Sequence, residues 1–76
     1  MISYSVCLRD SDNVKKFVSI VDKLDYDVDL LDGSVVVDAK SLIGVMTMDL
    51  SEKLELRLHT DNEDKALKEQ LKDILV

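Results

Sequence analysis

Apolar and polar residues alternate one for one in three separate stretches of this chain, and such alternation restricts it to strands buried on a single face. Ile2, Tyr4, Val6 and Leu8 share one side of the first stretch, with Ser3, Ser5, Cys7 and Arg9 on the other. In the second, Tyr26, Val28 and Leu30 stand against Asp25, Asp27 and Asp29; in the third, Leu54, Leu56 and Leu58 stand against Glu55, Arg57 and His59. Asp32-Gly33 divides the second stretch from Val35 and Val37, and Asp-Gly supplies the positive φ that a tight hairpin needs. Strands of this kind assemble into an antiparallel sheet with one face packed and the other solvated.

Helical spacing fills the gaps between them. After the capping residues Asp10-Ser11-Asp12-Asn13, the apolar series Val14, Phe17, Val18, Val21 and Leu24 predicts a helix from about Asn13 to Leu24. Between Asp38 and Met48 the apolar residues Leu42, Ile43, Val45, Met46 and Met48 fit neither alternation nor a narrow stripe, which predicts a short helix that is apolar on too many sides. Thr60-Asp61-Asn62-Glu63 has the form of a capping box, and Leu67, Leu71, Ile74 and Leu75 predict a closing helix behind it. The element order is therefore β-α-β-β-α-β-α, an α+β fold in a single domain over residues 1–76. A chain this short buries only about 60% of the surface its unfolded form exposes. Its one cysteine, Cys7, makes no disulfide within the chain and reads as a small hydrophobe on a strand face, so packing alone must hold the fold.

Sixteen acidic residues against ten basic ones leave a net charge of −6, spread along the whole chain. That balance repels a phosphate backbone and an anionic membrane surface, and it favours protein partners with an electropositive docking face. The longest apolar runs, such as Val35-Val36-Val37, fall far below the ~18 residues of a membrane span. With one thiol and no export signal at the start, the expected compartment is a reducing cytoplasm. One Cys and one His do not make a metal cluster, and the chain has no Gly-rich phosphate loop or nucleophile elbow. No cofactor, no metal and no enzymatic catalysis are expected. The carboxylates of Asp25, Asp27 and Asp29 read as a solvated edge that discourages aggregation.

Residues Val37-Asp38-Ala39-Lys40-Ser41-Leu42-Ile43-Gly44-Val45-Met46-Thr47-Met48 resemble the most recognisable segment of HPr, the histidine-containing phosphocarrier of the sugar phosphotransferase system. In that family a Lys-Ser-(Ile/Leu)-(Met/Ile)-Gly-Val-Met run opens the middle helix, and Lys40 through Met46 is similar to it without a gap. The resemblance extends over about residues 14 to 76 and implies an HPr-like open-faced β-sandwich, a four-stranded antiparallel sheet covered on one face by three helices. It departs at the family's carrier motif, Gly-(Ile/Leu)-His-Ala-Arg-Pro, which joins the first strand to the first helix. Here the connection reads Leu8-Arg9-Asp10-Ser11-Asp12-Asn13, shorter and with neither His nor Pro.

What the resemblance implies is thus an HPr-like protein without the phosphocarrier histidine, working as a non-catalytic regulatory or protein-interaction module. Its partners would be an HPr kinase, a phosphotransferase-system protein or a transcriptional regulator. Ser41 aligns with the serine that a dedicated kinase phosphorylates in the regulatory branch of the family; the plainer reading makes it a helix-start residue. Lys40, Leu42, Met46 and Met48 are the expected docking residues. A two-turn helix buries one stripe only, and Ile43 and Val45 are expected to form it. Gly44 either admits a close neighbour or is simply tolerated in a short helix. Two alternatives stand beside this reading. One is a phosphocarrier that accepts its group at Asp10, Asp12 or His59, and the other is a structural module that self-associates by pairing through an exposed strand or swapping its first strand; the expected state of the chain is a monomer or weak homodimer. The plain role of Asp10, Ser11 and Asp12 is helix capping, and that of His59 is an exposed strand residue.

Overall fold

A computed structural model describes residues 1–76. Strand β1 (Ile2–Val6) leads to helix α1 (Ser11–Val21), followed by β2 (Val28–Asp32), β3 (Val35–Asp38), α2 (Leu42–Met46), β4 (Leu54–Leu58) and α3 (Lys65–Gln70). The strands form one sheet in the order β1-β4-β2-β3 with every pairing antiparallel. Strand β4 lies inside the sheet, where Leu54, Leu56 and Leu58 are all buried.

Register carries this alternation across the strands. Tyr4 pairs with Leu56, Leu56 with Leu30 and Leu30 with Val37, forming one row on the helix side. The neighbouring rows, Ser3-Arg57-Asp29-Asp38 and Ser5-Glu55-Leu31-Val36, lie on the other face. That open face is held by polar contacts: Ser3 Oγ donates to Glu55 Oε2 at 3.1 Å, Arg57 Nη2 to the same oxygen at 2.9 Å, and His59 Nε2 lies 2.6 Å from Asp29 Oδ2. Helices α1, α2 and α3 bury Val14, Phe17, Val21, Val45 and Leu67 in the same cluster as the leucines. The expected four-stranded sheet covered on one face by three helices is the observed architecture.

In the β2–β3 hairpin the positive φ, 59°, falls on Gly33, the first central residue, which is where a II′ turn needs it. Helix α1 begins two residues earlier than expected because Asp10 caps it, its Oδ1 accepting from Asn13 N at 2.9 Å. It also ends earlier, at Val21. Leu24 lies beyond it in a turn, and its carbonyl accepts the Lys40 ammonium at 2.6 Å.

The closing segment differs more. The capping box does not form: Thr60 Oγ1 accepts from Asn62 N at 3.2 Å in a local turn, and Asp64 is the N-cap, its Oδ1 taking both Ala66 N and Leu67 N. Ile74 and Leu75 are not helical. Cys7 N donates to Ile74 O at 2.8 Å, Leu75 bridges Val6, and Val76 N donates to Ser5 O at 3.0 Å. The free edge of β1 needs partners for its backbone groups, and the last residues satisfy it better extended than helical. Cys7 is half-buried, with its Sγ 3.7 Å from the carbonyls of Leu50 and Ser51.

Two predictions follow from this packing. Leu56→Ala, in the central row, should cost about 2–5 kcal/mol, read as a drop in the urea midpoint at unchanged m-value. The phenol oxygens of Tyr4 and Tyr26 are buried without a hydrogen-bond partner. Burial, reinforced by Glu63 and Asp64 at Tyr4 and by Asp64, Asp25 and Tyr4 at Tyr26, pushes both above the ordinary tyrosine range. The unfolded chain therefore loses these protons first. Their stabilising contribution should be complete below the unfolded value of about 10 and should fall as pH rises past it. Absorbance titration of tyrosinate, run beside urea melts in alkali, checks both the shift and its sign.

Candidate functional site: the serine-capped middle helix

Asp38 turns the chain from β3 into α2. Its carboxylate accepts Lys40 N at 2.9 Å and its carbonyl accepts Ser41 N at 3.0 Å, while buried Ala39 donates to Val28 O. Ser41 is then the N-cap, extended at φ −95° and ψ 110°, with Oγ accepting from Gly44 N at 3.1 Å. At the other end Thr47 Oγ1 donates to Gly44 O at 2.6 Å. A five-residue helix has few internal bonds, so these side chains close much of its backbone account.

Gly44 has a specific reason to be glycine. A Cβ there would stand 3.2 Å from Ser41 Oγ, 3.4 Å from Ser41 Cβ and 3.7 Å from Val37 Cβ. The close neighbour is the capping serine itself, with β3 just behind it.

The outward face differs from the expected one. Val45 is fully buried, and at about 100° per residue Ile43 lies on the opposite side of the helix from it, whereas Met48, three residues on, returns toward it. Ile43 is accordingly 81% exposed, the reverse of its expected burial, and Met48, expected to dock a partner, is only 8% exposed and packs in the core. Leu42 and Met46 do face outward, at 43% and 45%. Lys40 is half-buried, with its ammonium bound to the Leu24 carbonyl, so it ties α2's entry to the end of α1. The structure thus brings Leu42, Ile43 and Met46 together beside Ser41. Ile43 and Val45, about 200° apart, do not share one stripe of the helix, and contacts with the rest of the fold decide that Val45 is the buried one.

The β1–α1 turn is a separate place. Arg9 has φ 75°, and Asp10 N donates to Leu8 O at 2.9 Å, which closes a γ-turn of the strained, positive-φ kind around it. Arg9 is anchored on both sides, N to Leu50 O at 2.8 Å and Nη1 to Asp73 O at 2.9 Å. Asp10 is occupied as the α1 cap, and Asp12 is exposed in the first turn. His59 lies just past β4 with its backbone N on Asp27 O. Because Ile2 pairs with Leu58 and Val6 with Leu54, His59 lies near the start of β1, whereas Asp10 and Asp12 lie beyond its end. The three residues do not form one site.

No helix is long and apolar enough to cross a membrane. Fold and surface together define a small open-faced α+β protein that presents a helix-borne apolar patch. The PTS-HPr family model, described as the PTS HPr component phosphorylation site, matches residues 12–75. The chain therefore belongs to the HPr family of the phosphotransferase system, a family of phosphocarriers. The crystal structure of HPr-C-His from Thermoanaerobacter tengcongensis is similar in fold, with a TM-score of 0.75 at 20% identity over 96% of this chain and 89% of that one. No curated protein sequence matches the chain.

The cap and the patch separate cleanly in a stability measurement. Ser41→Ala should cost about 1 kcal/mol, within the 0.5–2 range of N-cap losses, whereas Ile43→Ser on the exposed face should stay within about 0.5 kcal/mol of the parent. Urea unfolding of the two variants beside the parent checks the contrast.

Proposed function

We propose that this chain is an HPr-family protein without the phosphocarrier histidine, acting as a cytoplasmic regulatory or protein-interaction module and not as a carrier. It docks a protein partner through Leu42, Ile43 and Met46. Phosphorylation of Ser41 switches the docking. The observation that carries this reading is the exposure of those three apolar side chains on a helix whose first residue is capped by Ser41, within the segment that resembles the regulated serine motif. The partner is an HPr kinase, a phosphotransferase-system protein or a transcriptional regulator.

Phosphate on Ser41 adds a charge of about −1.5 to −2 and three acceptor oxygens at the start of α2. The amides there favour it by about 0.3–1 kcal/mol, and the same charge lies beside Leu42, where an apolar partner surface would have to desolvate it. The switch therefore changes partner choice with little change of fold. A carrier role draws less support from the geometry. Asp10 is engaged as a cap and His59 is bound to Asp29 at the other end of the sheet.

The test is mass spectrometry of the purified chain in two reactions, one with an HPr serine kinase and ATP, the other with phosphoenolpyruvate and the first enzyme of the phosphotransferase system. A stoichiometric phosphate on Ser41 in the first, and none in the second, is the expected result. An unmodified Ser41 beside a modified HPr control would remove the switch. An acid-labile phosphate on Asp10, Asp12 or His59 in the second would restore the carrier reading.

A further inference from the structure

The two edges of the sheet are finished differently. β1 is covered by residues 74–76, which take up Ser5 O and Cys7 N. β3 has β2 on one side and no strand on the other. Asp32 and Val35 flank the two-residue loop Gly33-Ser34 and pair directly, and antiparallel partners alternate between bonded and non-bonded positions. Val35 and Val37 thus turn their N–H and C=O toward β2, and the bond from Ala39 N to Val28 O continues the same phase. Val36 and Asp38 turn theirs outward. The Asp38 carbonyl is used by Ser41 N, which leaves Val36 N–H, Val36 C=O and Asp38 N–H open along the edge.

Natural sheets blunt a free edge with charge, proline, a bulge or sheer shortness. β3 is short and ends on Asp38, but its three valines pair with β2 residue for residue, with no lysine, proline or bulge among them. Val35 and Val36 are 55% and 54% exposed. Of the large exposed apolar residues, Met1 and Val76 are chain ends, and Val35, Val36, Leu42, Ile43 and Met46 all fall within residues 35–46. Val36 lies beside the buried Leu31 on the open face and is itself exposed, so an apolar side chain on an added strand would have it to cover.

We infer that the outer edge of β3 accepts an extended segment of a partner protein as a fifth strand, apolar at alternate positions and carrying Lys or Arg at its ends. Charge selects that occupant, because Asp32 and Asp38 bracket the valines in a chain of net charge −6. A second copy brings the same carboxylates and the same −6. A flexible segment can run on past Asp38 over Leu42, Ile43 and Met46. That continuation rests on the docking role proposed for α2; the strand pairing does not.

The test uses the full chain labelled with ¹⁵N and the capped peptide Lys-Val-Thr-Val-Thr-Val-Lys as probe, read by amide hydrogen exchange. Saturating peptide should slow exchange at Val36 and Asp38 by about tenfold or more, with Val35 and Val37 protected before and after. Val36→Pro removes an outward N–H and no ladder bond, a place where edge strands tolerate proline, and it should abolish the protection. Val36→Lys, which keeps the backbone donor and adds a guarding charge, should weaken it. A peptide with Glu in place of Lys should bind several-fold less tightly. Unchanged exchange at Val36 and Asp38 would overturn the inference while leaving the α2 reading intact. Equal binding of the Glu peptide would overturn the partner's chemistry, and protection that grows with protein concentration alone would assign the edge to a second copy.

Discussion

Everything in this molecule depends on a sheet that can be buried on one side only. Leu54, Leu56 and Leu58 sit on β4 between β1 and β2, and all three are buried. With no disulfide and a small interior, the leucine row and the helices set on it provide the cohesion. The cost of this arrangement is a second face that must be made safe in water. Ser3 binds Glu55 and His59 binds Asp29 across neighbouring strands, and Arg57 joins Glu55 within β4.

Helix α2 takes its character from the same shortage of interior. Five residues give it less than two turns, and the sheet has room for Val45 alone from that span. Its other large side chains have nowhere to go but outward, so the apolar patch follows from covering a small sheet with a short helix. The helix persists because its ends are tied: Ser41 and Thr47 bond its backbone, and Lys40 anchors its approach to Leu24. Gly44 makes the first tie feasible by leaving space where a methyl group would press on the capping hydroxyl.

This division explains what could be read from the chain before its structure. The strands, the hairpin at Asp32-Gly33, the element order and the cap at Ser41 were legible, because each rests on neighbours within a few residues. The run Lys40 to Met46 added the family. What was not legible turned on choices between local options that only distant contacts decide. Thr60 and Asp64 both offer a cap, and the helix uses the later one. Ile74 and Leu75 fit a helical stripe, yet the bare edge of β1 takes the Ile74 carbonyl from a turn and Leu75 into a bridge with Val6. Ile43 and Met48 were exchanged because a helix apolar on several sides does not announce which side faces the sheet. The positive φ of Arg9 had no signal at all, since nothing in the type of that residue favours it.

The two helix starts on this surface show where added charge is tolerated. At α1 the position is already anionic: the Asp10 carboxylate accepts from Asn13 N, and Asp12 lies in the first turn. A phosphate brought there would meet two like charges and a donor already in use, so the favourable field of the helix end is largely spent. At α2 the cap is a neutral hydroxyl, and the first turn holds no acid. A phosphate on Ser41 replaces one acceptor with stronger ones and keeps the same donors. On that contrast, the first helix start is filled by its capping carboxylates, and the second is the one whose electrostatics leave room for added negative charge.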